Sequence, residues 1–244
     1  MTAQAHINSK LQDAAGEGNI DEVIALVTKG GDLSSLDKFG EDIISASAHN
    51  GVSFVSFLLK IGADPNLRNT RGRTCLHWAV LNRKLDILAL LLNNGAILDA
   101  DCSDVGYTLL HECSEMAFAD ELRLLLSRAS PKQRERQDDS GRTPLMCSVM
   151  GGSLACAKLL LDAGAVVDTE SELKLGDTAL TLAARSGKAS FVELLIAHGA
   201  NPEIKGWMGL SARDHARIKR DESPWLEGLL PRTATNSGGR ASAT

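Results

Sequence analysis

A short signal returns along this chain every 33 residues or so, and a fixed period of that length restricts the possible folds more than any single motif does. Thr74-Cys75-Leu76-His77, Thr108-Leu109-Leu110-His111, Thr143-Pro144-Leu145-Met146 and Thr178-Ala179-Leu180-Thr181 each stand two residues after a glycine (Gly72, Gly106, Gly141 and Gly176). Weaker copies start at Ser9, Asp42 and Ser211, so successive starts lie 33, 32, 34, 35, 35 and 33 residues apart. A second marker keeps the same phase: Gly30-Gly31-Asp32, Gly62-Ala63-Asp64, Gly95-Ala96, Gly164-Ala165 and Gly199-Ala200-Asn201. Self-similarity of this kind predicts an elongated stack of units rather than a globule around one core. The functional question then becomes what a long face binds.

Elementary physics supplies the unit. Leu85, Leu88, Leu91 and Leu92 fall at helical spacing, and Gly95 follows where a left-handed cap is wanted. Upstream, Leu76, Ala79 and Val80 form the apolar side of a shorter helix, with Thr74 at its N-cap. Alanines such as Ala14, Ala15, Ala46, Ala48, Ala183 and Ala184 let neighbouring helices approach closely. Apolar residues make up 43% of the chain and aromatics only 4%, so the core must be built from Leu, Ala, Val and Ile. That suits thin helix pairs better than a β-sandwich.

These motifs resemble the ankyrin repeat, whose pattern runs G-x-T-P-L-H-x-A-A-x-x-G, then a second apolar helix ending L-L-L, then G-A-D. Residues 178–201 follow it closely, through Leu182-Ala183-Ala184, Gly187, Leu194-Leu195 and Gly199-Ala200-Asn201. The resemblance implies an all-α solenoid of stacked helix-turn-helix units with projecting β-turn or hairpin loops. It also divides the chain into an N-terminal extension (1–8), one repeat domain (9–230, starts near 9, 42, 74, 108, 143, 178 and 211) and a disordered tail (231–244). Polar residues in the first repeat and charged ones in the last read as caps, with Trp225, Leu226 and Leu229 closing the core. The fourth repeat departs from the pattern, with Ala129 in place of a glycine and Ala117-Phe118 at the turn between its helices. An alanine at positive φ would cost about 1 kcal/mol, so a rebuilt turn is expected there. Pro131 to Asp139 reads as a charged finger, either a solvated loop or a contact lip.

Several function classes fall away. A net charge of −5 creates no field that would draw nucleic acid to the whole molecule. Ile87 to Leu92, a six-residue apolar run, is far short of a membrane span. The N-terminal residues lack a signal-peptide layout, which points to the cytoplasm or nucleus. None of the five cysteines pairs as C-x-x-C, and Cys75, Cys113, Cys147 and Cys156 fall on helix positions that favour buried reduced thiols; Cys102 sits in a connection. His77 and His111 occupy equivalent places, where the family's histidine ties one loop to the next. No H-E-x-x-H, phosphate loop or nucleophile elbow appears. The expectation is a protein that is not an enzyme, with no metal and no cofactor.

Ankyrin-like proteins bind through loop fingertips and the first helix of each repeat, on a concave face. Carried over by position, the fingertip candidates are Phe39, Arg71, Arg73, Val105, Tyr107, Arg142, Leu175, Trp207 and Met208. The inner-helix candidates are His49, Trp78, Leu81, Asn82, Glu112, Glu115, Met116, Met150 and Arg185. Aromatic, Met and Arg residues are the types that carry interface energy. Arg71, Arg73, Arg83 and Lys84 also set a basic third repeat beside an acidic fourth with Glu112, Glu115, Asp120 and Glu121. The expected function is an adaptor or scaffold, monomeric by itself, that holds another protein or an extended peptide. The rivals are an assembly chaperone of the gankyrin kind and a nucleotide- or oligonucleotide-sensing array in which Arg73, Trp78 and Tyr107 clamp a base and phosphate.

Overall fold

A computed structural model describes residues 2–98, 106–171, 176–219, 224 and 228–230, apart from the side chain of Trp207. Its helices are α1 (Ala3–Gly16), α2 (Ile20–Thr28), α3 (Ile43–Ser47, continued by a 3-10 turn at Ala48–Asn50), α4 (Val52–Lys60), α5 (Cys75–Leu81), α6 (Leu85–Asn93) and α7 (Leu109–Glu115). They continue as α8 (Ala119–Leu126), α9 (Pro131–Arg134), α10 (Pro144–Gly151), α11 (Leu154–Asp162), α12 (Ala179–Arg185), α13 (Ala189–Ala197) and α14 (Ala212–Ile218). Among the described residues there is no strand, only an isolated bridge between Lys205 and Ser211. Cys102, Val105, Leu175, Trp225, Leu226 and the tail 231–244 lie outside the described residues.

The repeat-start residues act as helix caps. Thr143 Oγ1 accepts from Met146 N at 3.3 Å, Asp42 Oδ1 accepts from Ile44 N and Ser45 N at 3.0 Å, and Ser211 and Asp214 cap each other reciprocally. Each such helix then packs in an inner row, α1 on α3, α3 on α5, α5 on α7, α7 on α10, α10 on α12 and α12 on α14. The second helices form an outer row, in which α4, α6, α8, α11 and α13 succeed one another. One continuous apolar cluster runs between the rows, with Leu76, Leu88, Leu91, Leu122, Leu125, Leu160 and Leu195 fully buried. Stacking thus provides the burial that no single helix pair could.

The approach of α7 to α10 depends on a missing side chain. A Cβ added to Gly151 would lie 2.1 Å from the carbonyl oxygen of Glu115. Gly151→Val is expected to destabilise the protein by about 1–3 kcal/mol through overpacking. An unchanged midpoint in urea unfolding would show that the two helices yield without cost.

Three local expectations are corrected or sharpened. First, α1 begins at Ala3 rather than at Ser9, because Thr2 caps it (Ala5 N to Oγ1, 3.3 Å) and Ile7 packs on the core. Second, the turn at Ala129 is rebuilt: its N–H donates to Leu125 O at 3.0 Å, and Ser130 starts the short α9. Ala117, by contrast, does adopt φ +61°, and so does Arg83 at +56°, each between the two helices of its repeat. Third, the charged finger is braced rather than merely solvated. Glu135 accepts from Val166 N (2.9 Å) and Thr169 Oγ1 (2.7 Å), and Gln137 donates to Glu170 O (2.9 Å). Those bonds explain why a run of such charge stays half-buried.

Candidate functional site

The fingertips between outer and inner helices share a device that links polar side chains to backbone. Asp37 Oδ1 accepts from Phe39 N and Glu41 N at 2.8 Å, Asn69 Oδ1 from Arg71 N and Arg73 N at 2.9 Å, and Asp138 Oδ1 from Ser140 N and Arg142 N at 2.9 Å. An Asp or Asn three residues before the turn glycine is a signal present in the sequence and missing from the motif reading above. Adjacent tips also join edge to edge: Thr70 N donates to Gly40 O at 2.9 Å, Asn69 Nδ2 to Glu41 Oε2 at 2.7 Å, and Arg71 pairs with Glu41. This row of tips and the inner helices beside it carry the candidate residues.

The candidates divide by accessibility. Phe39 is 73% exposed, with the Lys38 ammonium 5.1 Å above its ring. Leu81, Met116, Met150 and Met208 are exposed as well. Trp78 is half-buried against the core and lines a small cavity of about 130 Å³ with Glu41, Arg71, Arg73, Leu81 and Asn82. Asn82 closes α5 by donating to Trp78 O at 2.8 Å. Tyr107 is half-buried too: its hydroxyl donates to Glu115 Oε2 at 2.7 Å, and its ring centre lies 5.4 Å from that of His111. Burial, and then the bond to Glu115, push the phenol pKa upward. Burial also raises the carboxyl of Glu112, which the charge of Arg73 pulls back down. Arg142 is held by Asp138 at 2.6–2.8 Å and reaches Met150 Sδ at 3.8 Å; Arg185 pairs with Asp177 at 2.8 Å. Trp207 stands in a 3-10 turn, Trp207–Gly209, and its side chain lies outside the described residues.

Of the residues assigned to the charged face, Glu121 does not belong there, and Arg83, its side chain half exposed, is drawn onto it. Glu121 is fully buried in α8, and the left-handed backbone at Arg83 swings that guanidinium onto it, Nε to Oε1 at 2.6 Å and 4.4 Å above the Phe118 ring. The basic-beside-acidic contrast between the third and fourth repeats is therefore partly an internal clamp, which spacing alone could not reveal.

The histidines show their chemistry plainly. Nδ1 of His77 and of His111 lies 3.2 Å from the capping threonine's N–H and accepts from it. In His111 the Nε2–H donates to Arg142 O at 2.9 Å, tying its helix to the next fingertip. Burial lowers both pKa values, that of His77 to about 4. Cys75, Cys113, Cys147 and Cys156 are buried and free, and burial raises their thiol pKa values, Cys147 to about 12. These groups are part of the fold's own bonding.

The family description "Ankyrin repeats (3 copies)" matches residues 11–102, 49–135 and 110–206. The chain belongs to the ankyrin-repeat family. Its structure superposes on the ankyrin repeat domain of Bcl-3, a member of the IkappaB protein family, with a TM-score of 0.79 at 28% identity, covering 91% of this chain and 97% of that one. The human ASB11 ankyrin repeat domain gives 0.71 at 25% identity, covering 93% and 100%. In sequence, the B-cell lymphoma 3 protein homolog of Mus musculus is 31% identical over 189 residues, 74% of this chain and 39% of that protein. A putative palmitoyltransferase, ZDHHC13 of Danio rerio, is 29% identical over 188 residues, 75% of this chain but 28% of that protein. The chain spans less than half the length of these curated relatives, and what it shares with them is the repeat array. Ankyrin-repeat domains serve as protein–protein interaction modules. Among the described residues no helix is long and apolar enough to cross a membrane.

Proposed function

We propose that this chain is an adaptor or scaffold that holds a partner protein or extended peptide along the face formed by its fingertips and inner helices. The observation that carries this reading is the exposure of Phe39, Leu81, Met116, Met150 and Met208 on elements of that one face. Exposed apolar side chains lie elsewhere too, Ile24 and Leu154 on outer helices among them, so what supports this face is that its set is made of methionines and an aromatic, types that carry interface energy. The reading extends to an assembly chaperone, whose client would use the same face. The nucleotide-sensing alternative, which needs Arg73, Trp78 and Tyr107 as a clamp, is disfavoured because Trp78 packs partly on the core and the Tyr107 hydroxyl is held by Glu115.

Exposed methionines make cleaner probes than Trp78, which also packs on the core. Met116→Arg and Met150→Arg are each expected to weaken a partner recovered by affinity purification by about 1–3 kcal/mol while leaving circular dichroism unchanged. Lys158→Ala, exposed on outer helix α11, is the control and should have little effect. Titrations in which both methionine variants bind normally, or in which the control is the weaker binder, would move the site off this face.

A further inference from the structure

At the N-terminal end of the array, α1 and the first fingertip enclose an open groove of about 700 Å³. Its lining includes Gln12, Asp13, Glu17, Leu36, Asp37 and Phe39. Phe39 and Leu36 supply an exposed apolar wall. Three carboxylates line the groove against one ammonium, that of Lys38, which sits over the Phe39 ring. Asp13 and Glu17 are exposed and form no ion pair among the described residues.

Gln12 is only 7% exposed, and its Nε2 donates to Ser35 O at 2.6 Å and to Ser35 Oγ at 3.3 Å. Those bonds fix the carboxamide and leave Oε1 buried without a hydrogen-bond partner. That oxygen is closed off from the groove, so the groove's own character comes from its apolar wall and anionic rim, which together describe a peptide site.

We infer that this groove is the anchoring subsite for an extended segment of a partner protein in which a large apolar side chain adjoins a lysine or arginine. The apolar side chain packs on Phe39 and Leu36, and the cation sits between Asp13 and Glu17. The inference rests on the proposed use of the fingertip face and adds to it a place and a partner chemistry.

A phage-displayed library of random linear peptides, panned on the whole protein, tests this directly. Enriched clones should carry a basic residue beside a large apolar one. Phe39→Ala, and separately the pair Asp13→Asn and Glu17→Gln, should each weaken those clones roughly tenfold, the second change also flattening their dependence on salt. All three positions are exposed, and circular dichroism checks the fold of each variant. Clones without that signature, clones indifferent to both variants, or no enrichment would overturn the subsite. If indifferent clones are instead lost on Met116→Arg, the fingertip face still binds and only the anchor is wrong; if neither set of changes matters, both readings fail. A concentration-dependent dimer broken by Phe39→Ala would assign the groove to a second copy of the chain and overturn the partner chemistry.

Discussion

Leu91→Ala is expected to destabilise the protein by ~2–5 kcal/mol, the sum of lost transfer energy and the cavity left behind. Leu91 is fully buried in α6, and α6 packs on α5 within its repeat and on α4 and α8 to either side. No other element can move in to fill the space without unstacking from its own neighbours, which keeps the cost toward the upper part of that range. Because repeats stabilise chiefly the repeats beside them, loss should begin locally. Amide exchange at low denaturant should therefore rise first in α5 to α8, while α1 and α14 keep their protection. Uniform loss along the chain would show that the array unfolds as a single cooperative unit. Unchanged stability would mean that the position does not carry the core.

Acid should destabilise the array through its buried histidines. His77 has its pKa pushed to about 4 by burial and the nearby charge of Arg73, against about 6.5 in an unfolded chain, and burial lowers that of His111 as well. Between these values the unfolded state binds a proton that the folded state refuses, so stability falls as pH drops. Above pH 6.5 the imidazoles are neutral in both states and the contribution is constant. By pH 5, His77 alone should cost about 2 kcal/mol, at 1.36 kcal/mol for each unit between the two pKa values. Asp42 and Glu112, whose carboxyls are raised by burial, act in the opposite direction, while Asp138, Asp214 and His215, whose values are lowered, act with it, so the whole-protein slope mixes several groups. The difference between wild type and His77→Gln isolates the His77 contribution. Urea midpoints at pH 7 and pH 5 should differ more in wild type than in the variant. Equal differences would show that His77 is protonated in the folded state, contrary to its hydrogen bond from Thr74 N.

The order of helices, their caps and their buried faces were legible in the chain because they are local and repeated. A threonine before an apolar turn meets the same need at Thr74, Thr108, Thr143 and Thr178, and four helical-spaced leucines bury the same side wherever they occur. Four of the cysteines followed from the same phase, and the histidine tie to the next fingertip, implied by the ankyrin resemblance, is seen at His111. The face was legible only as a set of positions. Which side chains on it remain open to a partner depends on residues about one repeat away, through contacts that no period encodes. Trp78 turned partly into the core, Tyr107 found Glu115, and Arg71 found Glu41. Arg83, its side chain still half exposed, found the buried Glu121. The N-terminal groove was missed because Ser9 to Gln12 read as a polar cap, whereas stacking on the next fingertip folds Gln12 inward and leaves Asp13 and Glu17 in water. Periodic local chemistry determined what the units are and how they stack; the charge and exposure of the proposed binding face were decided by tertiary neighbours, since burial and ion pairing are properties of pairs distant in the chain.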